Sequence, residues 1–398
     1  MDRVEPIVLE TIHELNEIMN VSPKEALKDM VKKAMGRSVR TKDPLFWPAG
    51  MLMLGITQYM EQHSEEKGEL YNECYKALSE HALLWKNKYG GKIEHVDDAL
   101  AGACFIKGFE LEKDEKFLSY VRMIDSYLMQ ARTDVCGSVI YNPGRNSSNI
   151  FSDGIGQVTM FMASFLNLAL GNADRQQGTS MSYGLPKPQE KEFTQRLEKL
   201  RVQLSNFYKY GRDEKTGLIY HGYSLHKNTN ADGMEGLMEC ERKGLLGWGR
   251  ACGWLMMGLS ECALLEKELE MRKISCGKAA IDIMAWYFEM CEVMMDYQRK
   301  DGGWSWQIQA VDGHIDLSAT GMIAYSLKHG LSEGIFDDKS EMKEKVILSI
   351  ESAEKCILAN TKEGIVQNAL SSCDDFGVHY QTYGSFPWGQ GATLAALS

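Results

Sequence analysis

Two kinds of helical segment take turns along this chain, and no other feature of the sequence limits its fold as tightly. One kind is rich in charge and carries a single apolar stripe: roughly 5–35, 69–88, 115–131, 190–210, 275–299 and 340–358, as in EKEFTQRLEKLRVQLSNFYKYG. The other kind is apolar nearly all round and heavy in Gly, Ala and Met: WPAGMLMLGITQYM, DDALAGACFIKGF, SDGIGQVTMFMASFLNLAL, WGRACGWLMMGLSECALL, IDLSATGMIAYSLKHG and PWGQGATLAAL. A helix of the second kind has no face to give to water and must be buried. One hairpin cannot bury its own inner helix, so six outer and six inner segments require side-by-side stacking that closes on itself. The expected fold is therefore all-α, an (α/α)6 barrel that uses residues 1–398 as one domain. Small residues suit helices converging on a narrow axis, where backbones approach closely.

The connections add a direction. Those leading into inner segments are long (37–46, 133–148, 213–246, 301–314 and 361–386), whereas several leading out are short (111–114, 267–274 and 331–339). In a ring the long ones gather at one end, which is where a binding site is expected. The Gly/Pro/Ser/Gln-rich stretch 171–189 belongs to the opposite end and reads as a mobile loop. A net charge of −11 argues against nucleic acid or an anionic membrane as a partner, since both need clustered positive charge. The start, MDRVEPIVLE, has no basic segment followed by an apolar one, and no uninterrupted apolar run is long enough to cross a bilayer. Ten Cys without a CxxC pair read as reduced, buried thiols, and cytoplasm is the expected location.

Several inner segments open on an acid or on an aromatic-Gly-basic cluster: His95-Val96-Asp97-Asp98, Ser152-Asp153-Gly154, Trp248-Gly249-Arg250 and Asp316-Leu317-Ser318. Taken singly, Asp and Ser at a helix start cap free backbone N–H groups and suit the positive end of the dipole. If the ring closes, these starts converge on one mouth, where two carboxylates in a partly dry cleft are candidates for acid-base work. Aromatic residues gather at the same end: Trp47, Trp248, Trp254, Trp304, Trp306 and Trp388, with Tyr141, Tyr220 and Tyr223 in or beside the long loops. Each alone reads equally well as core filling; as a cluster, their faces suit sugar rings. Arg250 offers a planar fork for a substrate carboxylate or, equally, a structural ion pair with a loop acid. His221, in GLIYHGYS, either donates to a substrate oxygen or holds its own loop. HExxH, GxxxxGK[ST], GxGxxG after a strand and GxSxG are all absent, so neither a metal nor an organic cofactor is expected.

At these residues the chain resembles family 105 of the glycoside hydrolases, the unsaturated rhamnogalacturonyl hydrolases, with family 88, the unsaturated glucuronyl hydrolases, as a more distant relative. The stretches that carry the resemblance are VDDALAGACFIKGFEL, QARTDVCGSVIYNPGRNSSNIFSDGIGQVTMFMASFL, DEKTGLIYHGYS, GWGRACGWLMMGL, YQRKDGGWSWQI and LSATGMIAYSLKHGL, in the family's order and spacing over nearly the whole chain. The resemblance implies an (α/α)6 barrel, Asp153 as the catalytic aspartate, Asp97 as the second acid, and His221, Trp248, Arg250 and Trp254 around an unsaturated uronate; Trp47 and Tyr223 are expected to bind substrate beside them. The implied partner is a small oligosaccharide with an acidic unsaturated terminal sugar. Asp153, kept protonated by burial and by Asp97, would protonate C4 of that sugar. Relatives read Arg-Gly-Asn before the Trp of the fourth inner helix and His-Ala-Trp-Asp upstream; this chain has Arg250-Ala251-Cys252-Gly253-Trp254 and His221-Gly222-Tyr223-Ser224. The alternative is a non-hydrolytic carbohydrate-binding or sugar-isomerising toroid. An isomerase would want two histidines facing the pocket, for which His95 and His221 are the candidates.

Overall fold

A computed structural model describes residues 3–21, 42–141, 148–176, 183–227, 238–275, 279–372 and 381–398, with a few isolated positions besides. Among them are twelve α-helices in strict outer-inner alternation. The outer helices are α1 (Glu5–Glu17), α3 (Glu69–Lys88), α5 (Glu115–Gln130), α7 (Lys191–Tyr210), α9 (Ile283–Asp296) and α11 (Ser340–Ala359). The inner ones are α2 (Trp47–Gln62), α4 (Ala99–Glu112), α6 (Ser152–Gln176), α8 (Gly249–Met271), α10 (Leu317–Ser332) and α12 (Pro387–Leu397). Each inner helix packs on the next, α2 to α4 to α6 to α8 to α10 to α12, and α12 returns to α2, so the ring is closed. This is the (α/α)6 barrel expected from the alternation.

Physical detail follows the residue pattern. On α5 the buried set Phe117, Leu118, Tyr120, Val121, Ile124 and Leu128 recurs every three or four positions, and each such side chain contributes about 1.5–3 kcal/mol when fully buried. Inner helices instead bury every side, and close approach sets their composition. A Cβ on Gly391 of α12 would come within 2.1 Å of the Met51 carbonyl oxygen, and one on Gly156 of α6 within 2.1 Å of that of Trp254 on α8. Alanine at Gly391 would wedge the ring open where it closes. The stretch Ser152–Ala173 does pass a length and hydropathy test for a membrane span, contrary to the expectation from the sequence, but 83% of that window is buried inside the ring. It is the core helix α6, apolar because all its faces meet other helices.

Two segment bounds differ from the sequence pattern. α1 ends at Glu17, and most of 22–41 lies outside the described residues. α9 begins only at Ile283, because the Asp282 side chain accepts the Ala285 N–H at 2.9 Å and starts the helix there. The stretch expected to be a mobile loop at the far end, 171–189, is helical to Gln176, and 177–182 lie outside the described residues. The long connections at the mouth also hold a small antiparallel sheet in the order β1 (Asn149–Phe151), β2 (Gly222–Lys227), β3 (Met238–Lys243). Its register sets Phe151 opposite Gly222 and Tyr223 opposite Arg242.

Candidate active site

Asp153 lies in the first turn of α6. The Ser152 N–H donates to the His221 carbonyl at 2.9 Å, continuing the β1–β2 pairing to the start of the helix. That pairing depends on a glycine: a Cβ on Gly222 would lie 2.2 Å from the Ile150 carbonyl oxygen. The result places His221 Nε2 2.8 Å from Asp153 Oδ2. The His221 ring is wedged between Phe151 and Trp248, with centroids 4.9 and 4.4 Å away, so its orientation is fixed. The Asp153 side chain keeps 18% of its surface exposed, which leaves it reachable.

The charge state of Asp153 departs from the expectation. Burial alone would raise its pKa, but the charge and hydrogen bond of His221, and then the charge of Arg250, outweigh burial and hold the carboxyl below the usual carboxylate range. Asp153 is ionised here, not kept protonated by burial and by Asp97. The cause is that the groups facing it, His221 first and then Arg250, favour the carboxylate form. Asp97 is turned elsewhere: it is 1% exposed, and its two oxygens accept Tyr141 Oη–H at 2.6 Å and the Gln157 amide at 2.9 Å.

Arg250, in the first turn of α8, is 2% exposed and boxed by indoles. Its guanidinium lies 4.8 Å from the Trp248 ring centroid, 5.7 Å from Trp388 and 6.0 Å from Trp47. Nη1 donates to the Leu370 carbonyl and Nη2 to that of Ser371, both at 3.0 Å. Loop carbonyls accept from two of its nitrogens, and its positive charge reaches Asp153. Trp47 also meets Trp388 at 4.8 Å and, edge to face, Trp254 at 6.0 Å. Trp254 is buried, and its Nε1–H has no partner among the described residues.

The structure thus gathers Asp153, His221, Trp248, Arg250, Trp47 and Trp254 at one end of the ring, with Asp97 tied to the same helix through Gln157. Tyr223 does not join them. It is 0% exposed, packs on Phe207 and Tyr210, and shares a hydrogen bond with Ser138 Oγ at 2.9 Å, because β2 presses it against the outer layer. Trp304 is likewise core, its Nε1–H donating to the Met294 carbonyl. Asp316 follows the capping alternative: it is buried and accepts the Ser318 N–H at 2.9 Å. His95 sits edge-on to Phe46 while His221 binds Asp153, so they form no facing pair. Three participants had not been singled out for these roles: Gln157, Phe151 and Trp388. Gln157 was detectable, being four residues beyond Asp153 and so on the same helix face. Among the described residues one group offers metal-ligand atoms within 4.8 Å of one another, Asp43, Glu94 and His95; Glu94 is exposed, and groups of this kind are common without an ion.

The sequence profile of Glycosyl Hydrolase Family 88 matches residues 16–398. No curated protein matches the chain. Solved structures do. A possible member of the GH105 family from Salmonella enterica serovar Paratyphi A is 14% identical, with a TM-score of 0.67, covering 100% of this chain and 93% of that one. A family 105 glycoside hydrolase from C. acetobutylicum is 18% identical, with a TM-score of 0.63, covering 93% and 97%. The unsaturated glucuronyl hydrolase of Bacillus sp. GL1, responsible for the degradation of glycosaminoglycan, is 15% identical, with a TM-score of 0.63, covering 90% and 87%.

Proposed function

Since this chain belongs to glycosyl hydrolase family 88, we propose that its mouth removes a 4,5-unsaturated uronic acid from the non-reducing end of a short oligosaccharide by hydrating the enol ether. The observation that carries the reading is the Asp153–His221 contact at 2.8 Å beside a buried, indole-boxed Arg250. A carboxyl group held among cations in an aromatic pocket suits an acidic sugar: the cations attract its carboxylate and the indole faces cover its ring.

The ionised state of Asp153 sets the order of events. A uronate carboxylate arriving beside Arg250 and His221 offsets the field that depresses the Asp153 pKa, so Asp153 takes up a proton on binding. It then gives that proton to C4 of the double bond, and cationic character develops at C5 beside the ring oxygen. The regenerated carboxylate takes a proton from water as the water oxygen bonds to C5. The product is a hemiketal, which opens and releases the rest of the sugar. No glycosyl-enzyme ester forms, so carboxylate spacing does not predict stereochemistry here. Asp97, buried and bonded to Tyr141 and Gln157, would act through Gln157 by fixing the helix face that carries Asp153.

The test is turnover of an unsaturated uronyl disaccharide beside its saturated counterpart. Loss of ultraviolet absorbance with release of the second sugar, and no action on the saturated one, is expected. Tight binding of the unsaturated disaccharide without any absorbance loss would overturn hydrolysis in favour of a carbohydrate-binding toroid.

A further inference from the structure

The ring has a second recess, at the end opposite the helix starts. It encloses about 200 Å³ and is lined from five of the six inner helices, with Thr57 of α2, Lys107 and Glu110 of α4, Asn167 of α6, Glu261 of α8 and His329 of α10 among its residues. A single water needs only ~10–15 Å³ on the same measure.

Its charges are satisfied internally. Lys107 Nζ lies 2.7 Å from Glu61 and 3.8 Å from Glu110. His329 Nε2 lies 3.2 Å from Glu261 Oε2, and the Asn167 amide donates to Glu261 Oε1 at 3.4 Å. Burial pushes the Glu110 carboxyl upward, which trims the remaining negative charge. Burial works against a charged His329, yet its hydrogen bond to Glu261 prevails and raises its pKa, which favours the protonated ring.

Two groups are left over. Asn167 Oδ1 and His329 Nδ1 are buried and have no hydrogen-bond partner among the described residues, and the His329 side chain is only 10% exposed. Nε2 is committed to Glu261, and in the protonated ring that this contact favours Nδ1–H is a donor; Asn167 Oδ1 is an acceptor. Unmet donors and acceptors in a buried site are uncommon in folded proteins. A hydroxyl answers both kinds, since it accepts and donates. The carboxylates here do not form a cation site: among the described residues the group with converging ligand atoms is Asp43, Glu94 and His95, which lies elsewhere.

We propose that this far recess is a second binding site, for a small neutral polyhydroxy molecule of monosaccharide size, held by the Asn167 Oδ1 acceptor and the His329 Nδ1 donor. It is independent of the reading of the mouth. The probe is D-glucose, titrated against the full chain by ligand-observed NMR. Saturable binding is expected, at least tenfold weaker in Asn167→Leu and in His329→Gln, and unchanged in Asp153→Asn. A crystal of the unaltered protein soaked in D-glucose should show the sugar between Asn167 and His329. Absence of saturable binding overturns the proposal, as does binding that survives Asn167→Leu, or a soaked recess that holds water alone. Turnover at the mouth is expected to be the same in Asn167→Leu, so failure here and failure of the mouth chemistry are read separately.

Discussion

The same six inner helices form both ends of the ring, and the two ends treat buried carboxyl groups in opposite ways. At the mouth Asp153 faces His221 and Arg250, whose charges overcome burial and keep it ionised. At the far end Glu110 has Lys107 beside it, but burial and the neighbouring Glu261 and Glu61 prevail and its pKa is raised. Connection length explains the difference. Long segments enter the mouth, so β2 can bring His221 to α6, and the 370–371 segment can cap Arg250. At the far end α4 passes to α5 through Lys113 and Asp114 alone, and the recess there is lined mostly by helix-borne side chains, among them Asn167 and His329, each with a polar atom unmatched among the described residues. The mouth is assembled from distant segments; the far recess is lined mostly by the helices themselves.

Substitution at Arg250 tests this contrast most severely. Arg250→Met strands two loop carbonyls and removes the cation from its indole box, and should lower unfolding free energy in urea by about 3 kcal/mol. The far-end counterpart, Asn167→Leu, should stay within about 1 kcal/mol of the parent, because it removes an unpartnered Oδ1 and only a long, 3.4 Å bond from its amide to Glu261. Equal costs would erase the distinction. A smaller effect follows from the depressed pKa of Asp153. Its contribution is fully present above the unfolded-state value of ~3.9 and is lost as pH falls through the lower native value. The stability difference between the parent and Asp153→Asn should therefore be level from about pH 7 to 5 and shrink in more acidic solution. A difference that instead grows on acidification would mean that Asp153 is protonated in the native state. Gln157→Leu, which takes one donor from buried Asp97, should cost about 1–2 kcal/mol in thermal or urea unfolding and slow turnover about tenfold. Least of all, Tyr223→Phe should cost about 1 kcal/mol through the lost Ser138 contact and leave turnover untouched. A large loss of activity there would return Tyr223 to the site.

The ring was legible because burial has an unmistakable residue pattern: helices such as WGRACGWLMMGLSECALL can sit nowhere but inside. The starts of those helices were legible as a mouth for the same reason. Partner choice was not. Which loop carbonyls Arg250 meets depends on the path of 369–371, which periodicity does not encode. The ionisation of Asp153 differs from the expectation because a shared mouth suggests Asp97 as its neighbour, whereas the sheet delivers His221 from 68 residues away. Tyr223 was misplaced because its strand was taken for loop, and a strand fixes which layer each side chain enters.

The account rests on one carboxyl group carrying the proton at the mouth, and Asp153→Asn probes it directly. With the variant's unfolding transition shown to be cooperative, the rate of absorbance loss from an unsaturated uronyl disaccharide should fall by roughly 10²–10⁴-fold. Turnover at the parent rate would contradict the account.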